Sequence, residues 1–97
     1  MSAACPLFGF EVVFHLTPGL GDAAAAALWH DLVSGPIEGR GLVCVGGIAG
    51  GRWSHVVHSE AGQATAADRE AMAAWAGSRR EIASVEVGPL VDLNGVV

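Results

Sequence analysis

The side chains whose types and spacing invite a chemical reading are His15, His55 and His58, the acids Glu11 and Glu60, the thiols of Cys5 and Cys44, and the arginines Arg52, Arg79 and Arg80. Histidines and carboxylates are ordinary Zn²⁺ ligands, but such a site needs three or four convergent donors. His55 and His58 are three apart, and on a strand that spacing points them to opposite faces, so they do not share an ion. His15 could approach one of them across an open sheet face, with Glu11 nearby, yet Glu11 and Glu60 have no ligand spacing. The expectation is solvated histidines on an uncovered sheet face, with no metal and no other cofactor.

A Cys–His nucleophile pair fares no better. Cys44 sits inside an apolar strand where nothing lowers its pKa, and Cys5 lies beside a proline near the start of the chain. They read as a small buried hydrophobe and an exposed thiol, neither a disulfide nor a catalytic pair. No Ser-His-Asp arrangement and no paired-carboxylate motif is visible, so catalytic residues are not expected and the protein reads as non-enzymatic.

The run Gly46-Gly47-Ile48-Ala49-Gly50-Gly51 invites an anion-binding reading, because successive backbone N–H groups can cradle a phosphate. It lacks a Gly-Lys-Ser/Thr ending and the G-x-G-x-x-G spacing, and a strand follows it where a helix N-terminus would be needed. It is therefore read as a glycine-rich hairpin connection. Beside it, Trp53 either caps the sheet or serves as an exposed anchor of the kind enriched at protein interfaces. Arg79 and Arg80 follow a helix, where they complement the negative end of its dipole or touch a phosphate backbone. Arg52, Trp53, Arg79 and Arg80 are thus the residues expected to contact a partner.

The elements that position these groups follow from hydrophobic period. Phe8, Phe10, Val12, Phe14 and Leu16 alternate with Gly9, Glu11, Val13 and His15, a strand with one face toward a core. After the Thr17-Pro18-Gly19 turn, a helix starts near Gly21-Asp22 and places Ala25, Leu28, Trp29, Leu32 and Val33 on one face until Gly35-Pro36 closes it. Strands over Leu42 to Gly46 and Arg52 to His58 flank the glycine connection. Thr65 and Asp68 then form a capping-box-like start to a second helix. Its stripe is Ala71, Met72, Trp75 and Ala76, and Gly77 in the left-handed conformation ends it. Ala83, Val85 and Val87 alternate with Ser84 and Glu86 as a last strand, which Pro89 stops.

Strand, helix, strand, strand, helix, strand is the order of an α+β, ferredoxin-like two-layer sandwich (βαββαβ). Its four-stranded antiparallel sheet carries both helices on one face and leaves the other face open or meeting a partner. The aromatics of the first strand share the helix face, which argues against base stacking in the manner of RNA-recognition domains. Residues 7–92 form a single domain, with 1–6 and 93–97 as tails.

Composition bounds the function. At 97 residues the chain can bury roughly two-thirds of its unfolded surface and fold without staples. Its longest apolar runs fall far below the ~20 residues that cross a bilayer, and its start lacks a signal-peptide pattern, so a cytoplasmic protein without a membrane partner is expected. Five arginines, no lysine and ten acids give a net charge of −5. DNA is therefore not an expected partner, and a protein that docks on bare RNA usually clusters its cations.

Several stretches in order carry a likeness. They are Phe8-Gly9-Phe10-Glu11-Val12-Val13-Phe14, Pro36 followed by Gly41-Leu42, Gly46-Gly47, Trp53, the set Thr65, Asp68-Arg69 and Trp75, and the run Val87-Gly88-Pro89-Leu90-Val91-Asp92. Over roughly residues 7 to 92 the chain resembles the YggL family of small bacterial proteins, which are described as binding the large (50S) ribosomal subunit. The resemblance implies a non-enzymatic domain whose partner is that subunit. Comparable members carry an Arg/Lys-rich segment ahead of the Gly-Phe-Glu strand, where this chain has Met1 to Leu7. The alternative expectation is a protein–protein or small-ligand binding module, homodimeric through its open sheet face, that has lost ribosome binding with the basic segment.

Overall fold

The alternation over residues 8–16 produces β1 (Phe8–Leu16) and decides where the core lies. Phe10, Val12 and Phe14 are fully buried, whereas Glu11 between them is exposed. The computed structural model describes residues 8–59 and 63–93. After β1 come α1 (Asp22–Leu32), β2 (Leu42–Ala49), β3 (Arg52–Ser59), α2 (Ala66–Gly77), β4 (Ile82–Val87) and the short β5 (Val91–Asp92). The protein is α+β, with an antiparallel sheet in the order β2-β3-β1-β4 and two helices. Each helix links two strands that have one other strand between them.

Leu28 and Leu32 of α1 and Met72 and Ala76 of α2 join Phe10, Val12, Phe14, Trp53 and Val57 in one buried cluster, so both helices cover the same sheet face. Each such large side chain contributes about 1.5–3 kcal/mol of burial. The other face carries Glu11, Val13 and His15 of β1, Arg52, Ser54, Val56 and His58 of β3, and Val43 and Val45 of β2.

The elements depart from the expectation at five places. Gly35-Pro36 does not close the first helix. The chain widens into a π turn over Val33–Ile37, where Glu38 N–H donates to the Val33 carbonyl, and Ile37 enters the core. Proline has no N–H for the α ladder and its ring crowds the carbonyl four residues back, and the wider turn relieves both. The six-residue glycine connection is shorter than expected. Gly46 and Gly47 are paired in β2, and only Gly50-Gly51 joins β2 to β3, with Gly50 at φ 61°.

Gly77 is not left-handed. α2 ends instead as Ser78 N–H donates to the Ala74 and Trp75 carbonyls and its hydroxyl donates to the Trp75 carbonyl at 2.7 Å. In β4 a register shift beside His15 and Leu16 puts Ile82, rather than Ala83, into the core. Finally, Pro89 interrupts the ladder without ending it. Val91 and Asp92 pair with Gly9 and Phe8, so the sheet has five strands where four were expected.

Candidate functional site

The strand ends bring Arg52, Arg80 and the mouth of a cleft together. His15 of β1 pairs with Arg52 of β3, and one residue on, Leu16 N–H donates to the Gly51 carbonyl at 2.7 Å. Thr17 N–H then donates to the Glu81 carbonyl at 2.9 Å, and its hydroxyl to the Arg80 carbonyl at 2.7 Å. The segment after β1 is thereby held between the β2–β3 hairpin and the α2–β4 loop. Between that segment, the hairpin tip and α1 lies an open cleft of about 620 Å³, lined by Leu16, Leu20, Trp29, Ile48 and Trp53 among others. Ile48 stands at its rim, 57% exposed.

Three of the five arginines are occupied by the fold. Arg40 Nε donates to Asp68 Oδ1 at 2.7 Å. Asp68 is also the N3 acid of the α2 capping box. Its Oδ2 accepts from Thr65 N–H at 2.8 Å, while the Thr65 hydroxyl oxygen accepts from Asp68 N–H at 3.2 Å. Burial pushes the Asp68 carboxyl up, but Arg40 and the Thr65 donors pull harder, so it is held below the usual value.

Arg69 Nε donates to the Gly88 carbonyl at 2.7 Å and Nη2 to that of Val87 at 3.3 Å, tying α2 to the end of β4. Arg79 Nη2 donates to Asp31 Oδ2 at 2.7 Å, and its guanidinium lies 5.7 Å from the Trp75 ring centroid. Among the described residues only Arg52 and Arg80 have no such partner; both are exposed. The four expected contact residues therefore divide. Arg52 and Arg80 are free at one end of the sheet, Arg79 is engaged in an ion pair, and Trp53 is 1% exposed and cannot be an external anchor.

Trp53 is buried because the core is an aromatic chain running across the sheet. Trp75 meets Phe14 edge-on (centroids 6.0 Å apart), Phe14 meets Trp53 (6.4 Å), and Trp53 meets Trp29 (5.8 Å). Edge-to-face pairs of this kind favour the positive ring edge over the negative face of its neighbour. Trp29 and Trp75, on the apolar helix faces expected to meet the sheet, do pack against this core, at its margin and half-buried.

The histidines do not form a set. His15 and Glu11 lie on the open face, and His15 Nε2 is 2.6 Å from Glu86 Oε2. His58 shares that face, with Nδ1 3.3 Å from the Ser59 carbonyl. His55 is not solvated. It is 3% exposed beneath α1, stacked on Trp29, because its partner across the ladder is Gly46, which leaves room for the ring. Burial lowers its pKa. The sheet thus separates His55 from His15 and Glu11. Among the described residues no three His, Cys, Asp or Glu side chains could hold one metal ion. Cys44 is half-buried, and desolvation pushes its thiol up to about 11. Cys5 and Glu60 lie outside the described residues.

Sequence reading missed a charge pattern that was open to it. Residues 39–59, which include all of β2 and β3, contain no acid, so the ten acids fall elsewhere and one half of the sheet bears only Arg52 and histidines. The open faces of the central strands β1 and β3 carry no aromatic side chain. Among the described residues no helix is long and apolar enough to cross a membrane. No curated protein and no solved structure matches the chain, whereas a family model described as YggL 50S ribosome-binding protein matches residues 6–94.

Proposed function

The chain belongs to the YggL 50S ribosome-binding protein family, and from that premise we propose that it is a non-enzymatic cytoplasmic domain that docks on the large ribosomal subunit. The family match over residues 6–94 is the observation that carries this reading. The docking end is the one bearing Arg52 and Arg80, beside the acid-free half of the sheet, because an anionic surface is repelled least there. We read the scaffold as a ferredoxin-like one extended by β5, on the element order and on the single strand that each helix crosses over. Against an enzyme stand the protonated state of Cys44, held by its high pKa, and the sealing of His55 under Trp29.

Two free guanidinium groups make a weak electrostatic anchor. With about two phosphates neutralised, raising salt from about 50 to about 200 mM should weaken binding only about tenfold. Co-sedimentation with purified 50S subunits through sucrose at low salt is the test. Binding that is lost in the double variant Arg52→Glu, Arg80→Glu supports the reading, and a chain that stays in the soluble fraction at low salt sinks it.

A second reading, a module that binds an apolar ligand or side chain, is favoured by the cleft beside Trp29 and Trp53 and by the exposed Ile48. An apolar dye such as anilinonaphthalene sulfonate would gain fluorescence with the native protein and lose that gain in Ile48→Asp. No gain at all would remove this reading.

A further inference from the structure

The strand order leaves β2 at one edge of the sheet, and this edge lacks the devices that ordinarily keep sheet edges apart. Leu42–Ala49 contains no charge and no proline, and its pairing with β3 runs without a register shift from Leu42 opposite Ser59 to Ala49 opposite Arg52. The inward backbone groups of β2 bond to β3. Among the described residues no helix or loop takes up the outward row of N–H and C=O groups. Among the described residues Val45 (60%) and Ile48 (57%) are also the most exposed large hydrophobic side chains. The opposite edge is guarded by Glu86, by the register shift in β4 and by the Gly88-Pro89 break before β5.

We propose that β2 pairs antiparallel with β2 of a second copy, about a two-fold axis at Val45, so that one continuous sheet crosses the dimer. Directly opposed residues in a ladder project to the same face, which restricts the registers that β2 can adopt with itself. With the axis at Val45, that residue meets its own copy on the open face, Val43 lies opposite Gly47, and Ile48 lies opposite Leu42 on the helix face. Both exposed apolar residues thus gain cross-strand apolar neighbours, the unit of stabilisation in sheets.

Charge selects a second copy as the occupant. Each chain carries a net −5, yet β2 and β3 bear no acid, so two copies meet through the part of the surface that lacks like charges. A basic peptide would find no acid on either strand to pair with. The contact is isologous, and such interfaces close on themselves as dimers.

The test is mass by light scattering against protein concentration, joined to amide exchange and cross-linking. The expected result is twice the 9.8 kDa chain mass at about 100 μM, with amides of residues 42–49 gaining protection as concentration rises. Val45→Arg places two cations side by side across the axis and should weaken the dimer about tenfold or more, with an unchanged circular dichroism spectrum. In a background lacking Cys5 and Cys44, Val45→Cys should cross-link on mild oxidation and Val91→Cys, on the far edge, should not. A monomer throughout overturns the proposal. So does a dimer that leaves the β2 amides unprotected and is indifferent to Val45→Arg, which would place the contact on another surface.

Discussion

His55 stacks on Trp29 with ring centroids 5.3 Å apart and planes 28° apart, and among the described residues its buried Nδ1 has no hydrogen-bond partner. A neutral imidazole suits this place under α1, and an imidazolium does not. In the unfolded chain the ring takes up a proton near its ordinary 6.5, while in the folded chain desolvation delays that uptake to lower pH. Between the two values the unfolded state holds more protons, so stability rises with pH there and is lost as pH falls below 6.5. Urea midpoints at pH 8, 6 and 5 should fall in that order, and His55→Phe should flatten the part of the trend above pH 5. A wild-type midpoint that is level from pH 8 to 5 would contradict the burial argument.

Asp68 titrates in the opposite sense and in another window. Its carboxyl is held below 3.8, so the stability it supplies is present above that value and disappears as pH falls through the lowered folded value. Asp68→Ala removes the α2 capping box and the Arg40 partner together, and should cost about 1–2 kcal/mol by urea denaturation at pH 7. Arg40→Ala made in the Asp68→Ala protein should then cost almost nothing, because the two side chains act as a unit.

Gly46 and Gly47 are neighbours in β2 with opposite fates. A Cβ on Gly46 would overlap the Ser54 carbonyl oxygen and lie 2.6 Å from the His55 Cα, both backbone atoms, whereas one on Gly47 meets nothing within 4 Å. Gly46→Ala should destabilise the fold by about 1–3 kcal/mol, and Gly47→Ala should stay within about 0.5 kcal/mol of the parent. Thermal melts of the two variants decide it, and equal losses would refute the close approach.

Trp53 as a core residue and Trp53 as an external anchor make different demands. Held edge-on between Phe14 and Trp29 at 1% exposure, it should cost about 3–5 kcal/mol when replaced by alanine, by chemical denaturation of the isolated protein. Trp53→Ala that kept its stability but lost ribosome co-sedimentation would restore the anchor reading.

Arg79 and Arg80 separate structure from surface. Arg79→Ala leaves Asp31 without its cation and uncovers Trp75, so its melting temperature should fall; Arg80→Ala removes an exposed, unpaired group and should leave it unchanged.

Local chemistry in the residue order sufficed for much of this molecule. The period of two over residues 8–16 bounds β1 at Phe8 and Leu16, and the Thr65–Asp68 spacing marks the start of α2, because strand alternation and helix capping depend on near neighbours only. The same holds for the family resemblance, which rests on short runs of this sequence such as Val87-Gly88-Pro89. Arg69 holds the carbonyls at that run and Gly88 N–H donates to the Glu11 carbonyl at 2.7 Å, so part of the likeness is a set of residues that fix β4 to its neighbours. The acid-free stretch 39–59 was equally legible, though its meaning needed β2 and β3 to be adjacent.

Tertiary structure alone decided which arginines are free, which tryptophan is deepest and which histidine is buried. Arg79 and Asp31 are 48 positions apart, and no local pattern pairs them. His55 reads from sequence like His58, yet Gly46 across the ladder and Trp29 above take one ring into the core and leave the other outside. The π turn at Pro36 and the resumption of the ladder after Pro89 have the same origin. In each the local signal to stop is offset by burial of Ile37 or by pairing with Phe8 and Gly9, contributions that exist only once distant parts of the chain have met.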